Sequence, residues 1–427
     1  MAVGRLVRAV ASDVTPLRES PAYRRLFAGQ AVSAIGTQVT VVAVPLQVYE
    51  ITRSSLLVGL VGLAGLVPLV VFGLYGGAIA DAVDRRKLVL ITSTVMTLVS
   101  VVLLVQALAG SRSVWLLFVC VAVEAAAAAV DSPARGAIIP ALVRREKLPA
   151  ANTLSYGSGS LAVIVGPLLA GLAVSAGGYG TAYAVDVVSF AGAFYGAARL
   201  PSLLPGEGAT RAGLASVFAG LRFVAGRPLL LASFVADLDA MLIGAPFALF
   251  PAMAYGHFHG GAGTAGLLYA APAVGALVAT LAGGAIARVR RQGLGVIVAI
   301  AAWGAAVAAF GLVPQLWLGL VLLVAAGAAD TVSAVYRSTM MQVATPPGMQ
   351  GRLQGVYLVV VAGGPRLGAV RAGTMAGIAG TAGSVIAGGL ACIAGIGVIA
   401  AAVPALRRYD ARAAAAAHPL VAEEPAA

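Results

Sequence analysis

Apolar runs of about 20 residues, the length that spans a bilayer as an α-helix, recur along the chain with short polar breaks between them. Inside a bilayer only helices and closed barrels satisfy their own backbone hydrogen bonds. The composition agrees, since 10% of the 427 residues are charged, against roughly 25% in soluble domains. The sequence therefore predicts an all-α integral membrane protein.

Basic residues are concentrated in alternate connectors between the apolar runs. The chain has 28 Lys and Arg and a net charge of +12, yet the connectors on the opposite side hold only Arg53 and Arg112. Such a bias marks the cytoplasmic side, so we predict that both termini are cytoplasmic. The same placement favours the lipid bilayer over nucleic acid as the partner of these charges.

The polar breaks divide the chain into two halves. The predicted segments are a cytoplasmic arm (1–22), a six-helix half (23–199), a cytoplasmic linker with an interfacial amphipathic helix (200–227), a second six-helix half (228–406) and a cytoplasmic tail (407–427). Ser20 followed by Pro21 is a helix-start signal. The fifth and sixth helices are separated between Ser175 and Thr181, and the last two between Met375 and Thr381.

The two halves repeat several landmarks in the same order. GGAIADAVDRRKL at 76–88 has a counterpart in GGAIARVRRQGL at 283–294, each between two apolar runs. The further matching pairs are Trp115 and Trp317, Asp131 and Asp330, and Gly166-Pro167 and Gly364-Pro365. Duplicated halves of this kind are typical of secondary transporters, which bind substrate near the midplane between the repeats.

The segment Gly77-Ala-Ile-Ala-Asp81-Ala-Val-Asp84-Arg85-Arg86-Lys87 resembles the loop G-x-L-A-D-R-x-G-R-K of the major facilitator superfamily. Ala82 and Asp84 depart from that pattern. With YRRLFAGQAVSAIG, DSPARGAIIPALV and LPAANTL, the likeness covers nearly the whole chain and points to the enterobactin exporter branch of drug and siderophore efflux proteins. It implies twelve transmembrane helices in the bacterial inner membrane and a cytoplasmic gate loop. In this sequence the gate residues are Gly77, Asp81, Arg85 and Arg86.

Gly166-Pro167-Leu-Leu-Ala170-Gly171, in the fifth predicted helix, is similar to the G-P-x-x-G-G element of proton-driven antiporters in that superfamily. Ala170 stands where the element has Gly. The alternative is ordinary packing, because small residues let helices approach closely and Pro167 bends its helix. Both interpretations stay open.

Ionisable residues inside the apolar runs cost about 2.5 to 3.5 kcal/mol each on insertion scales, so each is a functional hypothesis. In the resembling family the first, fourth, seventh and tenth helices line the cavity, which favours Glu124 and one of Asp237 and Asp239. A desolvated carboxyl group there can take up and release a proton. These three acids are our candidates for proton coupling, and the alternative for the two aspartates is a structural ion pair with Arg366.

Three further acids belong to the same survey. Asp186 lies in the outer third of the sixth predicted helix. Asp131 and Asp330 lie near cytoplasmic helix ends, where we expect ion pairs with Arg135, Arg337 or loop groups.

The candidate contacts of the substrate cavity are Gln38, Tyr156 and Arg366. Gly363-Gly364-Pro365-Arg366 is predicted to interrupt its helix, as in transporters that bind ligands at broken helices, and Arg366 would then meet an anionic substrate. The alternatives are packing or interhelical hydrogen bonding for Gln38 and Tyr156, and a proline kink with a neighbouring carboxylate that holds Arg366.

Several functions are disfavoured by what the sequence lacks. It has no G-x-x-x-x-G-K-[ST] phosphate loop. His257 and His259 have no clustered metal ligands beside them, so we predict no metal site, and Cys120 and Cys392 lie inside apolar runs as packing residues. The intramembrane charges are scattered over several helices, so we predict that the chain is not an enzyme.

We therefore predict a monomeric secondary transporter without a cofactor. It is expected to be a proton-coupled antiporter that exports a small amphipathic or hydrophobic molecule, such as a siderophore or antibiotic, by alternating access. Two alternatives remain open: a lipid or lysophospholipid translocator on the same fold, and a non-transporting membrane receptor or assembly factor.

Overall fold

Long helices make up the part of the chain that the structure describes. The computed structural model describes residues 13–200 and 214–411, without the side chains of 74–82, 214–218, 347–348, 351–352, 354–355 and 358. The main helices are α1 (Pro21–Thr52), α2 (Ser55–Ala82), α3 (Arg85–Leu108), α4 (Val114–Leu142), α5 (Leu148–Ala198), α6 (Leu214–Ala225), α7 (Pro228–Leu238), α8 (Ala262–Leu281), α9 (Gln292–Leu312), α10 (Leu316–Ala344) and α11 (Pro347–Ala402). Shorter helical segments are Thr15–Glu19, Arg145–Lys147, Gly283–Ile286 and Pro404–Arg408.

Ten helical stretches of this described part are long and apolar enough to cross a membrane, judged by length and composition. All described secondary structure is helical, so the all-α membrane class is confirmed. The helix start at Ser20–Pro21 is confirmed as well, because the Ser20 hydroxyl accepts a 3.2 Å hydrogen bond from the Tyr23 backbone N–H.

The helix α5 reverses direction at Gly177 and Gly178, which have non-helical backbone angles. The residues on either side face the same part of α1: Gly166 lies against Gln38, and Ser189 lies against Gly36. A continuous helix would separate residues 166 and 189 by about 34 Å. The predicted break between Ser175 and Thr181 is therefore confirmed.

The helix α11 reverses in the same way at Gly380, whose φ is 74°. The Ser384 hydroxyl donates a 2.9 Å hydrogen bond to the Ala372 carbonyl, although a continuous helix would place these residues about 18 Å apart. Glycine adopts this left-handed backbone without the strain that a Cβ atom introduces. The break predicted between Met375 and Thr381 is confirmed.

The predicted interruption at Gly363-Gly364-Pro365-Arg366 is wrong, because α11 runs through these residues as regular helix. The interruption lies instead after α7, where a π-helical segment Asp239–Gly244 is followed by extended Ala245. Pro246 favours this extended conformation in the residue before it. The chain then continues through Phe247–Leu249, Phe250–Ala252 and a second π-helical segment, Met253–His257.

Two compact units are formed by the chain. The first unit contains Met1–Gly213 and Phe250–Ala270, and the second contains Leu214–Leu249 and Ala271–Ala427. The core of the first unit includes Leu26, Val89 and Ile138, and that of the second includes Leu230, Phe234 and Val356.

The predicted interfacial helix of the linker corresponds to α6. Its residue Val224 is buried in the core of the second unit, whereas Leu221 on the same predicted face is exposed. The other residues of that face, and most of the predicted arm, linker and tail, lie outside the described residues or side chains. The predicted segment boundaries stay predictions.

Candidate functional site

The first unit encloses a carboxyl group at Asp186, which is 0% exposed. The hydroxyls of Thr40 on α1 and Ser100 on α3 each lie 2.7 Å from its Oδ2 atom. Its Oδ1 atom is buried without a hydrogen-bond partner. Three helices thus converge on one acid that sequence analysis noted but did not select.

Glu124 on α4 belongs to the same buried region. Its Oε1 atom is also buried without a hydrogen-bond partner, and its carboxylate interacts electrostatically with that of Asp186. Among the residues that the structure describes, no Lys, Arg or His forms an ion pair with either acid. The two carboxyl groups therefore lie in one enclosed region without a compensating cation among the described residues.

A hydrogen-bonded chain borders these acids. The Tyr183 hydroxyl donates to the Gln47 side-chain oxygen at 2.7 Å, and the Gln47 amide donates to Gln106 at 3.1 Å. All three side chains are buried. These hydrogen bonds offset part of the cost of burying the polar groups, and the Gln106 Nε2 atom is left without a partner among the described residues.

Gly36 permits the close approach of α1 to Asp186. A Cβ atom at this position would lie 2.7 Å from Asp186 Oδ1 and from Ser189 Cβ, and closer still to the Ser189 hydroxyl. Gly29 and Gly196 make similarly close helix contacts. Small residues of this kind drive helix association in membranes through packing.

We expect Gly36→Ala to destabilise the protein by about 1 to 3 kcal/mol, the usual cost of overpacking. The measurement is the free energy of unfolding in mixed detergent micelles. Gly157→Ala is the matched control, because a Cβ atom on this helical glycine meets nothing within 4 Å. Equal stability of the two variants would contradict the close packing of Gly36.

The second unit holds Asp237 in an ion pair with Arg337 of α10, and both side chains are buried. The Arg337 Nε atom also donates to the Ser333 hydroxyl at 3.1 Å, and Asp330 lies within electrostatic range of Arg337. The ion pair predicted for Asp237 with Arg366 is therefore wrong. Arg366 instead donates to the Ala362 carbonyl of its own helix at 2.7 Å.

Asp239 differs from Asp237 although it is two residues away. It is buried, and neither carboxyl oxygen makes a hydrogen bond that meets normal geometry, although the Cys392 thiol and the Ile396 N–H face it. No cation among the described residues pairs with it. The π-helical segment that begins at Asp239 places the two aspartates in different surroundings.

The pair of Asp131 and Arg135 in the first unit is confirmed. These residues are four apart on α4 and form an ion pair. The Arg135 guanidinium also donates to the Ser93 hydroxyl at 2.9 Å, and the Thr92 hydroxyl donates to Asp131 at 2.6 Å. These contacts connect α4 to α3.

The described basic residues of the predicted gate loop contact backbone carbonyls of the first unit, and only the Arg86 contact lies at a helix end. Arg86 donates to the Ala198 carbonyl at 2.8 Å, in the last turn of α5, and Arg85 lies 3.5 Å from the Ala137 carbonyl. A cation is favourable at a helix C-terminus because of the helix dipole. The Asp81 side chain and the surroundings of Gly77 lie outside the part of the chain whose side chains the structure describes.

The predicted antiporter-like element makes close backbone contacts. A Cβ atom on Gly166 would overlap Gln38 of α1, and one on Gly171 would lie 2.8 Å from the Ala262 carbonyl and 3.2 Å from Gly266. Pro167 is buried. The element thus packs α1 and the start of α8 against the first arm of α5.

The predicted cavity contacts differ in exposure. Gln38 is half-buried at its contact with Gly166, Tyr156 is 80% exposed, and Arg366 is half-buried. Gln38 and Tyr156 lie in the first unit and Arg366 in the second.

Aromatic rings and charges form a further cluster in the first unit that sequence analysis did not predict. The Tyr49 and Tyr255 rings stack with centroids 6.2 Å apart, and Arg53 lies within 6 Å of both centroids. The Tyr179 hydroxyl donates to Glu50 at 2.7 Å. The partners are far apart in sequence, so no local pattern could have identified them.

The ten membrane-length apolar helices of the described residues are typical of a multi-pass membrane protein. Residues 11–426 match the family described as transmembrane secretion effector. The chain belongs to this family of the major facilitator superfamily. It is a multi-pass transporter of the inner membrane and not an enzyme.

Curated relatives cover most of the chain. It is 30% identical over 363 residues to the enterobactin exporter EntS of Shigella boydii serotype 4, spanning 84% of this chain and 86% of the relative. EntS of Citrobacter koseri is 29% identical over the same shares. The resemblance to the enterobactin exporter branch is thus confirmed.

Solved transporter structures share the fold. A POT family transporter has a TM-score of 0.73 at 10% identity and covers 91% of this chain and 97% of its own. A bacterial homologue of the iron transporter ferroportin, in the inward-facing state, has a TM-score of 0.68 at 15% identity over 91% of this chain and 99% of its own. At 10 to 15% sequence identity, this similarity shows a shared fold and nothing more.

Proposed function

We propose that this transporter exports a siderophore or a similar small amphipathic molecule in exchange for protons. The relatives named as enterobactin exporters support the substrate class and the direction. The observation that carries proton exchange is that the Oε1 atom of half-buried Glu124 and both carboxyl oxygens of buried Asp239 are enclosed without a pairing cation among the described residues. A buried carboxylate of this kind is costly, and protonation removes its charge.

Asp237 is the weakest of the three candidates for proton coupling. Its ion pair with Arg337 gives the Asp237 carboxyl group a structural partner, which Glu124 and Asp239 lack among the described residues. Glu124 in the first unit and Asp239 in the second therefore come first. If Glu124 or Asp239 carries the proton, the role of Asp237 is structural, because its ion pair with Arg337 connects α7 to α10.

The architecture that we propose is twelve transmembrane helices in two six-helix repeats. The described residues form ten membrane-length stretches, two of which reverse direction at glycine residues, and this supports the count of twelve. Both termini are cytoplasmic by the distribution of Lys and Arg. The protein acts as a monomer by alternating access, without a cofactor.

Residues in both predicted halves have proposed roles in the transport cycle. Gln38, Tyr156 and Arg366 contact substrate, and the loop with Gly77, Asp81, Arg85 and Arg86 closes the cytoplasmic side. Gly166, Pro167 and Gly171 supply the close helix packing that an antiporter needs while its helices tilt. Arg366 has no carboxylate partner in the described part of the chain, which favours an anionic group on the substrate.

Inverted membrane vesicles test the proposed function. We expect labelled enterobactin to accumulate inside them when respiration supplies a proton gradient, and to leak out when a proton ionophore removes it. Arg366→Gln should raise the substrate concentration for half-maximal uptake. Uptake without dependence on the gradient contradicts proton exchange. Absence of enterobactin uptake, with flipping of labelled lysophospholipid, supports the lipid translocator, and absence of both supports a receptor or assembly factor.

A further inference from the structure

Asp186 is built into a site that can hold a proton reversibly. Its Oδ2 atom has two hydroxyl partners, on Thr40 and Ser100, whereas its fully buried Oδ1 atom makes no hydrogen bond of normal geometry, although the Ser189 hydroxyl faces the carboxyl group. A carboxyl group that stayed charged in such a place would leave one oxygen desolvated without a hydrogen bond, which costs free energy. A carboxylic acid carries less of this cost.

The Ser100 hydroxyl has two alternative acceptors. It lies 2.7 Å from Asp186 Oδ2 and 3.1 Å from the Met96 carbonyl one turn earlier in α3. A hydroxyl has one hydrogen to donate and two lone pairs that accept. With Asp186 charged, Ser100 donates to the carboxylate. With Asp186 protonated on Oδ2, the acid donates to Ser100, and Ser100 turns its own hydrogen to Met96.

Glu124 supplies the second carboxyl group of this site. It interacts electrostatically with Asp186, and its Oε1 atom is buried without a partner. The other titratable groups that face the two acids are Cys120 of α4 and Tyr183 of α5. α1 and α3 contribute Thr40 and Ser100, which carry no charge. Two like charges in one buried region cannot both be maintained at low cost, so one proton is retained between them.

We propose that Asp186 and Glu124 form one proton-binding site inside the first unit, in which the Ser100 hydroxyl reverses its hydrogen bond as the proton arrives and leaves. This inference rests on the proposed proton exchange and names its residues. It adds Asp186 and Ser100 to the candidates for proton coupling and makes Asp186 the partner of Glu124.

Infrared spectroscopy of the protein in lipid nanodiscs tests the site without substrate or transport. We expect wild type at neutral pH to show a protonated carboxylic acid band that shifts in deuterated water. The double variant Asp186→Asn/Glu124→Gln should lose that component, whereas Asp237→Asn and Tyr183→Phe should keep it. Ser100→Ala should shift the band to higher frequency, because a hydrogen bond to the carboxyl group is lost, and Ser100→Thr should restore it.

A band that is identical in wild type and in the double variant overturns the proposal. An unchanged band position in Ser100→Ala overturns it as well, and this variant removes one oxygen atom, so the test does not depend on the folding of the double variant. If the bands behave as expected but vesicle uptake ignores the proton gradient, the proton-binding site stands and the proposed exchange fails.

Discussion

Replacing Arg337 with methionine is expected to lower the free energy of unfolding by about 3 to 5 kcal/mol, the cost of breaking a buried ion pair. The change leaves the Asp237 carboxylate buried without its cation. Asp330 lies within electrostatic range of the same guanidinium and loses it as well. The Ser333 hydroxyl loses its guanidinium partner at the same time.

Denaturation in mixed detergent micelles measures this effect. The double variant Asp237→Leu/Arg337→Met should recover most of the stability, since an apolar pair of similar volume is often neutral or stabilising. Arg366→Met is the matched control, because Arg366 bonds to a carbonyl of its own helix and not to an acid. A loss from Arg337→Met no larger than that from Arg366→Met would show that the ion pair is not formed.

Replacing Glu124 with glutamine is expected to reduce uptake driven by the proton gradient to the level seen without a gradient. The amide keeps the shape of the side chain but cannot exchange a proton, so substrate movement loses its coupling. Exchange of labelled for unlabelled enterobactin across the membrane should persist, because that reaction needs no net proton movement.

Reconstituted liposomes allow both reactions to be measured on one preparation. Glu146→Gln is the matched control, since Glu146 is an exposed acid of the same unit and should leave gradient-driven uptake unchanged. Loss of both uptake and exchange in Glu124→Gln would contradict a coupling role and indicate a structural one.

Local patterns in the sequence predicted the features that depend on neighbouring residues. The apolar runs gave the membrane helices, Ser20 and Pro21 gave the start of α1, and the spacing of four between Asp131 and Arg135 placed the pair on one helix face. The breaks near Gly178 and Gly380 were also predicted, because polar or glycine-rich turns separate the apolar runs there.

Partners that are distant in sequence were not predictable. Asp237 pairs with Arg337, which is 100 positions away in the sequence. Asp186 contacts Thr40 and Ser100, which are 146 and 86 positions away. No periodicity links such residues, since their contact depends on how whole helices pack. The π-helical segment Asp239–Gly244 was missed for a related reason. Pro246 is evident in the sequence, but the change from α-helix to π-helix before it depends on how the helices pack.

Proton movement driven by substrate is the most direct test of proton exchange. Liposomes that contain the purified transporter and an internal pH-sensitive dye, with no imposed gradient, receive an inward concentration gradient of enterobactin. We predict that enterobactin entry drives protons out, that the interior becomes alkaline, and that Glu124→Gln abolishes the change. Enterobactin entry at a normal rate with no change in internal pH would contradict proton exchange.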